Sequence, residues 1–412
     1  MGYQPEGRES SDEAVDRVLY ARATYGKEEK QAVADVLETP KQLAGGDYTE
    51  EFEDAIASSF GKRYGVMTNS GSSANLLAIE SLQLSDSAEV ITPITTFSTT
   101  VAPLVQKGLT PVFIDISIGT YQIQVEKIEE AITDETEAIL IPALAGNIPD
   151  WPRLEEIANE HDLYLIEDSA DTIGATIQDE PTGTFTDVST TSFYGSHVIT
   201  AFGGGGMVCF ADATYADMAK KLRGWGRKSA VDEDLTIDER FRTQLGDITY
   251  DEKFVFDEVG YNFLPLEASA AFGLEQFQKL DEFARRRQEN FIALTDFFEQ
   301  YEEWFVLPKE RDDVKTCWLA YPLTIKERAP FNRVDIVKYL ETNGIQTRSL
   351  WAGNILCHPG FKDIDCRVPF ETPTADRVMK NAFVIGCHQS IGDEELSYMK
   401  KVFETFFEGR SE

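Results

Sequence analysis

From about residue 62 to residue 210, short apolar runs alternate with amphipathic stretches. Arg63–Thr68, Glu89–Pro93, Pro111–Ile116, Ala138–Ala143 and Leu163–Glu167 are apolar runs bounded by turn residues, and each predicts a strand. Between them, Ser73–Leu82, Thr99–Lys107, Val125–Ile132 and Trp151–His161 place apolar positions at helical spacing. This alternation predicts βαβ units and a largely parallel sheet, in which ligands gather at the carboxyl ends of the strands. Asp187–Tyr194 and Met207–Phe210 read as two further strands, flanking a glycine-rich loop.

The texture then changes. A long charged helix is predicted over about Ala268–Tyr301, followed by strands at Trp318–Ile325 and Gln346–Leu350 and helices at Arg333–Asn343 and Asp393–Glu408. These divide the chain into a large α/β domain, residues 15–284, and a smaller α+β domain, residues 285–412. Lys228–Lys253 is rich in charge and poor in apolar residues, which predicts a long surface excursion.

Composition narrows the partners. The chain has 412 residues, with 72 acidic side chains against 38 basic ones and a formal net charge of −34. Such a surface repels nucleic acid and anionic membrane, so neither is expected as a partner. The acids are spread along the whole chain, which fits a surface adapted to high internal salt; an acidic mesophilic enzyme is the plainer alternative. No stretch approaches the ~20 apolar residues of a membrane span, and Met1–Asp12 is too polar for a signal peptide, so a cytoplasmic protein is expected. Cys209, Cys317, Cys357, Cys366 and Cys387 are scattered and form no CxxC pair, which predicts free thiols.

Four places carry candidate chemistry. Ser70-Gly71-Ser72-Ser73 lies where a strand turns into a helix; it is either an ordinary helix cap or a phosphate cradle of hydroxyls and free amides. Glu167-Asp168-Ser169-Ala170-Asp171 follows a strand, as a solvated turn or as carboxylates facing a ligand. Phe97 is either core or a stacking surface for a planar ring. His197, in Thr191-Ser-Phe-Tyr-Gly-Ser-His197-Val, is either a polar loop residue or a group able to move protons near neutral pH.

Taken together these segments resemble the sugar aminotransferase family (the DegT/DnrJ/EryC/StrS group) of vitamin B6 enzymes, over about residues 20–405. The resemblance implies the fold type I, aspartate aminotransferase-like architecture: a mostly parallel seven-stranded sheet with a smaller α+β C-terminal domain. In that family a lysine in the Ser-Phe-(Tyr/Phe)-x-x-Lys stretch binds pyridoxal phosphate covalently. Here His197 stands in its place, and imidazole has no primary amine to form that bond. The resemblance further implies that Gly71, Ser72, Ser73 and Ser192 hold the cofactor phosphate, with Asn262 reaching it from the neighbouring subunit of a homodimer. Asp168 would face the pyridine nitrogen, Phe97 would stack on the ring, and Asp171 would complete the cofactor site.

Within the family the chain resembles the B6-dependent sugar 3-dehydratases. They share the histidine, Ser-Gly-Ser-Ser-Ala-Asn-Leu-Leu (70–77), the aspartate at 171, and Gly-Asn with a following Pro, as in Gly353-Asn354 and Pro359. Gly204 departs from the family, which commonly has an acid there. One kind of 3-dehydratase carries an iron–sulfur cluster on four cysteines just after an Arg-x-Trp-Gly-Arg segment; here Arg223–Arg227 is followed by no cysteine through Phe241. The other kind uses non-covalently held pyridoxamine 5'-phosphate, interconverting with pyridoxal 5'-phosphate, and regenerates it with glutamate. The resemblance therefore implies a cluster-free 3-dehydratase of a nucleotide-linked 4-keto-6-deoxyhexose in deoxysugar or polysaccharide biosynthesis, with no metal. Arg348 and His358 are candidate substrate contacts, with surface or structural use as the alternative. A divergent or inactive aminotransferase, or a reductase-coupled dehydratase lacking the usual cluster ligands, are the competing readings.

Overall fold

The structure, a computed structural model, describes residues 17–38, 43–231 and 235–410. The amino-terminal Met1–Asp12 stretch, the first residues of the expected large domain and Asp232–Asp234 of the cysteine-free segment lie outside the described residues.

Seven strands form the main sheet: β1 (Tyr64–Thr68), β2 (Glu89–Pro93), β3 (Thr110–Ile114), β4 (Thr136–Pro142), β5 (Tyr164–Asp168), β6 (Val188–Ser192) and β7 (Gly206–Phe210). Their order is β1–β7–β6–β5–β4–β2–β3. β7 alone runs antiparallel to its neighbours, with Tyr64 opposite Phe210 and Val188 opposite Phe210 on its other side. The five strands from β6 to β3 are parallel. Both faces are covered: Val66, Leu77, Val90, Leu140, Ile166 and Val208 share one buried cluster, while Ile91, Val112, Ile139, Trp151 and Leu165 share another. Burial on both faces is why these strands read as continuous apolar runs rather than alternating ones. β6, Val-Ser-Thr-Thr-Ser, is the exception. It is buried throughout although four of its five residues are hydroxylic, and hydrogen bonds within the site explain how.

A second, antiparallel sheet contains β8 (Phe305–Val306), β9 (Ala320–Ile325), β10 (Thr347–Ser349) and β11 (Ala382–Gly386), in the order β8–β9–β11–β10. Its core is strongly aromatic, with Phe298, Phe305, Trp318, Tyr321, Phe383, Phe403 and Phe406 in one cluster.

Several elements differ from expectation. The stretch 268–301 is two helices, Glu267–Phe277 and Leu280–Glu299, broken at Gln278–Lys279. The break carries an ion pair: Lys279 Nζ lies 2.6 Å from the carboxylate of Glu29, which is fully buried and would otherwise lack a cation. Val125–Ile132 is a 3₁₀ turn, Val125–Lys127, followed by a single helical turn, Ile128–Ala131. The excursion after Arg227 contains a short helix, Ile237–Arg240, and a hairpin, Thr243–Leu245 with Ile248–Tyr250. Among the described residues, no helix is long and apolar enough to cross a membrane.

Candidate active site

The site is built at the carboxyl edge of β5. Successive side chains of a strand face opposite sides of the sheet, so Glu167 and Asp168 part company. Glu167 is fully buried and accepts from Ser169 Oγ (2.5 Å), Thr182 Oγ1 (2.6 Å) and Ser189 Oγ (2.8 Å). Asp168 is 5 % exposed. Its Oδ2 accepts from Asn75 Nδ2 and Thr100 Oγ1, both at 2.8 Å, and its Oδ1 from the amide of Ala170 at 3.2 Å. Asn75 is itself oriented by Thr190 Oγ1, which donates to its Oδ1 at 2.6 Å. A hydroxylic β6 thus survives burial because its side chains hold the site's acids and amides in place.

Among the described residues, no cation lies within ion-pair distance of Asp168. Burial raises its proton affinity, opposed by the Thr100, Asn75 and Ala170 hydrogen bonds. A desolvated carboxylate with neutral donors and no counter-charge suits a protonated ring nitrogen. Asp171, one turn on, accepts from the amide of Ala145 at 3.0 Å. Burial drives its proton affinity well up, and the neighbouring Asp168 charge adds to this.

The phosphate candidate faces the same edge. Ser70 caps the helix Gly71–Ser81 by accepting from Ser73 N at 3.1 Å, while Ser73 Oγ donates to Asn69 Oδ1 at 2.7 Å. The helix geometry leaves the first-turn amides of Gly71 and Ser72 without an intrahelical acceptor, and the turn carries no acidic side chain. Gly71 is required there by its neighbour: a Cβ would meet Ser192 Cβ at 2.5 Å. Ser192 therefore lies directly against the helix N-terminus. Phe97 is 53 % exposed, three residues before the Thr100 that binds Asp168. An exposed phenyl beside a buried carboxylate offers a face to a planar ligand. The residues present thus fit a phosphorylated pyridine cofactor.

His197 sits on the loop between β6 and β7. Phe193, buried against Phe52 with ring centroids 4.8 Å apart, anchors that loop, and Gly205, at φ 121, provides the return that a side chain would strain. The imidazole Nδ1 lies 3.1 Å from the carbonyl of Ser192. A carbonyl can only accept, so Nδ1 carries the proton and Nε2 keeps its lone pair. The residue is half-buried by surface area, yet desolvation of its ring lowers the pKa to about 4, against the Ser192 hydrogen bond and with help from Arg287. At neutral pH it is an uncharged base. Tyr194 closes one side, its ring edge-on to the imidazole at 6.1 Å.

The remaining expected residues lie further out. Asn262 is exposed; the next carbonyl, Phe263 O, accepts from the amide of Asn69, beside the chain's own Ser70 turn. Arg348 is on β10, exposed. His358 Nε2 lies 2.8 Å from Ala352 O, closing the loop after β10, and that loop touches the Phe97 loop through Ala352 N to Thr96 O at 3.2 Å. Asn75, Thr100 and Thr190 escaped notice as ligands of the site. Asn75 stands within the quoted Ser-Gly-Ser-Ser-Ala-Asn motif, but nothing local shows that it reaches 93 residues along the chain to Asp168. The five cysteines are free, with Cys209, Cys317 and Cys387 buried.

This arrangement is that of a pyridoxal phosphate enzyme of fold type I. The chain belongs to the DegT/DnrJ/EryC1/StrS aminotransferase family, whose sequence model it matches over residues 23–404. It is similar to the lipopolysaccharide biosynthesis protein RfbH of Salmonella typhimurium strain LT2, with 37% identity over 377 residues, covering 89% of this chain and 86% of the relative. It is also similar to the GDP-4-keto-6-deoxy-D-mannose 3-dehydratase of Escherichia coli O55:H7, with 32% identity over 392 residues, covering 93% and 98%. A crystal structure of a GDP-4-keto-6-deoxymannose-3-dehydratase with a trapped PLP-glutamate geminal diamine superposes with a TM-score of 0.84 at 32% identity, covering 93% of this chain and 99% of that one.

Proposed function

We propose that the protein is a pyridoxamine/pyridoxal phosphate-dependent 3-dehydratase that converts a nucleotide-linked 4-keto-6-deoxyhexose into a 3,6-dideoxy-4-ketohexose, with glutamate restoring the amine form of the cofactor. The observation that carries this reading is His197: a neutral base, with Nδ1 occupied and Nε2 open, at the position where the family places its lysine. The similarity to GDP-4-keto-6-deoxymannose 3-dehydratases, one of them with a trapped PLP-glutamate adduct, supports the substrate class and the amino donor.

Bound pyridoxamine phosphate supplies the amine that engages the 4-keto carbon and a ring that spreads negative charge. The chain's own groups do the rest. Gly71, Ser72, Ser73 and Ser192 hold the phosphate; Phe97 covers a ring face; Asp168 keeps the ring nitrogen protonated, and Asn75 and Thr100 keep Asp168 in place. His197 accepts a proton at Nε2 while Ser192 O steadies the ring through Nδ1–H. Desolvation makes the resulting imidazolium a ready acid, so the same nitrogen would return the proton to the departing C3 hydroxyl, which leaves as water. Hydrolysis then restores the 4-keto group and releases the amine nitrogen as ammonia, which glutamate replaces. With no lysine at this position, these contacts would be the ones that hold the cofactor.

The enzyme in this reading is a cytoplasmic homodimer, Asn262 reaching the partner's cofactor phosphate, without an iron–sulfur cluster or metal. Its net charge of −34 is read as adaptation to high internal salt. The test is incubation of purified protein with pyridoxamine phosphate, glutamate and nucleotide-linked 4-keto-6-deoxyhexoses. A product lighter through loss of the 3-hydroxyl is expected. A product with a new amino group overturns the reading in favour of an aminotransferase, and iron in the active protein overturns the cluster-free assignment.

A further inference from the structure

The segment Val18–Tyr20 is fastened to the small sheet on both flanks. Val18 N donates to Gly344 O at 2.8 Å, Gln346 N to Val18 O at 2.9 Å, and Tyr20 N to Gln346 Oε1 at 2.9 Å. On the other flank His388 Nε2 lies 3.1 Å from Leu19 O. Gly386 passes so close that a Cβ there would meet Leu19 O at 2.5 Å and Tyr20 O at 2.9 Å. A backbone held this firmly fixes where the Tyr20 ring projects.

The ring lies under Arg348, with the guanidinium carbon 5.5 Å from its centroid. Arg348 is exposed and, among the described residues, no carboxylate lies within ion-pair distance of it; its Nη1 donates to its own neighbour's carbonyl, Thr347 O, at 2.6 Å. Burial raises the proton affinity of the Tyr20 phenol, the Asp171 charge adds to the rise, and Arg287 and Arg348 oppose it. Both Asp171 and Arg348 are thus near enough for their charges to act on this phenol. Four residues beyond Arg348 the chain is bonded to the Phe97 loop through Ala352 N and Thr96 O. A long flexible side chain, exposed and without a carboxylate partner, at the border of the site meets an anion well only if its orientation is set beforehand.

We propose that Tyr20 is a positioning residue, its ring holding the Arg348 guanidinium ready for an anionic oxygen of an incoming reactant. The inference rests on the proposed function, which supplies two such anions: the carboxylate of glutamate and the diphosphate of the nucleotide sugar. The negative face of the aromatic ring, not the hydroxyl, carries the effect.

The test uses the full chain loaded with pyridoxal phosphate: wild type, Tyr20→Phe, Tyr20→Leu, Arg348→Leu and the Tyr20→Leu/Arg348→Leu double variant. Dissociation constants are measured for glutamate by the change in cofactor absorbance, for GDP-4-keto-6-deoxymannose by calorimetry, and for pyridoxal phosphate itself. Tyr20→Leu is expected to weaken one of the two reactants by roughly two- to thirtyfold, the range of a cation–π contact, and the reactant affected identifies the anion. Tyr20→Phe stays within about twofold, pyridoxal phosphate affinity is unchanged, and Tyr20→Leu adds nothing in the Arg348→Leu background. Unchanged affinity for both reactants in Tyr20→Leu overturns the inference alone. So does an equal loss of pyridoxal phosphate affinity, or a full Tyr20→Leu effect without Arg348. A wild type that binds neither reactant overturns the proposed function and this inference with it.

Discussion

The carboxyl edge of the main sheet and the arm over residues 224–259 are built on opposite terms. At the sheet edge, Glu167, Asp168, Asp171, Asn75 and Thr190 are buried, and every one has a hydrogen-bond partner within residues 75–190. Along the arm, charges pair locally, as Arg240 with Asp251 and Lys228 with Glu252, while apolar side chains face outward. Ile237, Phe241, Leu245, Ile248, Tyr250, Phe254 and Phe256 are exposed, and Val259 is 94 % exposed. The contrast teaches that the chain satisfies the buried acids and amides of its sheet edge by itself but leaves apolar side chains of the arm uncovered. These eight exposed apolar side chains within one arm are a candidate contact for the second copy proposed above.

The largest effect should come from the sheet edge. His197→Ala is expected to lower dehydration by roughly 10²–10⁴-fold, the usual contribution of general acid–base catalysis, with cofactor affinity retained; undiminished turnover would remove His197 from the mechanism. The same residue sets a pH signature. Because its pKa is lowered to about 4, not 6.5, activity dependent on the neutral imidazole should persist as pH falls below 6 and decline only as pH approaches 4. An acid limb of kcat/KM near 6.5 would show that the ring is not desolvated in the working enzyme.

Next in size is the support of Asp168. Asn75→Leu deletes a donor to a buried carboxylate, a loss of about 1–3 kcal/mol, and should weaken pyridoxal phosphate by roughly five- to a hundredfold in equilibrium dialysis. Unchanged affinity would mean that Asp168 does not bear on the cofactor. The smallest effect on the chain itself belongs to the arm. Ile248→Lys and Phe254→Lys should leave the stability of the isolated chain within about 0.5 kcal/mol while shifting sedimentation toward monomer. Variants that sediment as the wild type would show that the arm's apolar face is not the contact between copies.

Much of the main sheet was legible because a strand buried on both faces writes itself as an apolar run, and six of its seven strands do so. β6 was found although hydroxylic, since Asp187–Tyr194 is β-branched and flanks the glycine-rich loop. Asp168 was legible for a local reason too: it ends a strand, in a motif that resembles a known one. Asn75 and Thr190 were not, because their partners lie 93 and 115 residues away in sequence. β11, at the centre of the small sheet, is illegible because Ala-Phe-Val-Ile-Gly follows the helix Pro373–Asn381 directly, with no turn between the two to bound the run. The break at Lys279 was invisible for another reason. Helical spacing continues across it, and the Glu29 carboxylate that Lys279 meets lies 250 positions away in sequence.

The sequence by itself determined the fold class and the cofactor type, and it singled out His197 as the proposed base, because each is written in short contiguous patterns. Tertiary structure alone decided what that histidine is: the Ser192 carbonyl chooses its tautomer, and the surrounding protein strips its solvent and keeps it neutral. It also decided where Tyr20 stands, since hydrogen bonds to residues more than 300 positions away hold that segment beside Arg348. Proton affinity and orientation are set by what surrounds a group in space, and neighbours in space are the one thing a linear pattern of residues does not contain.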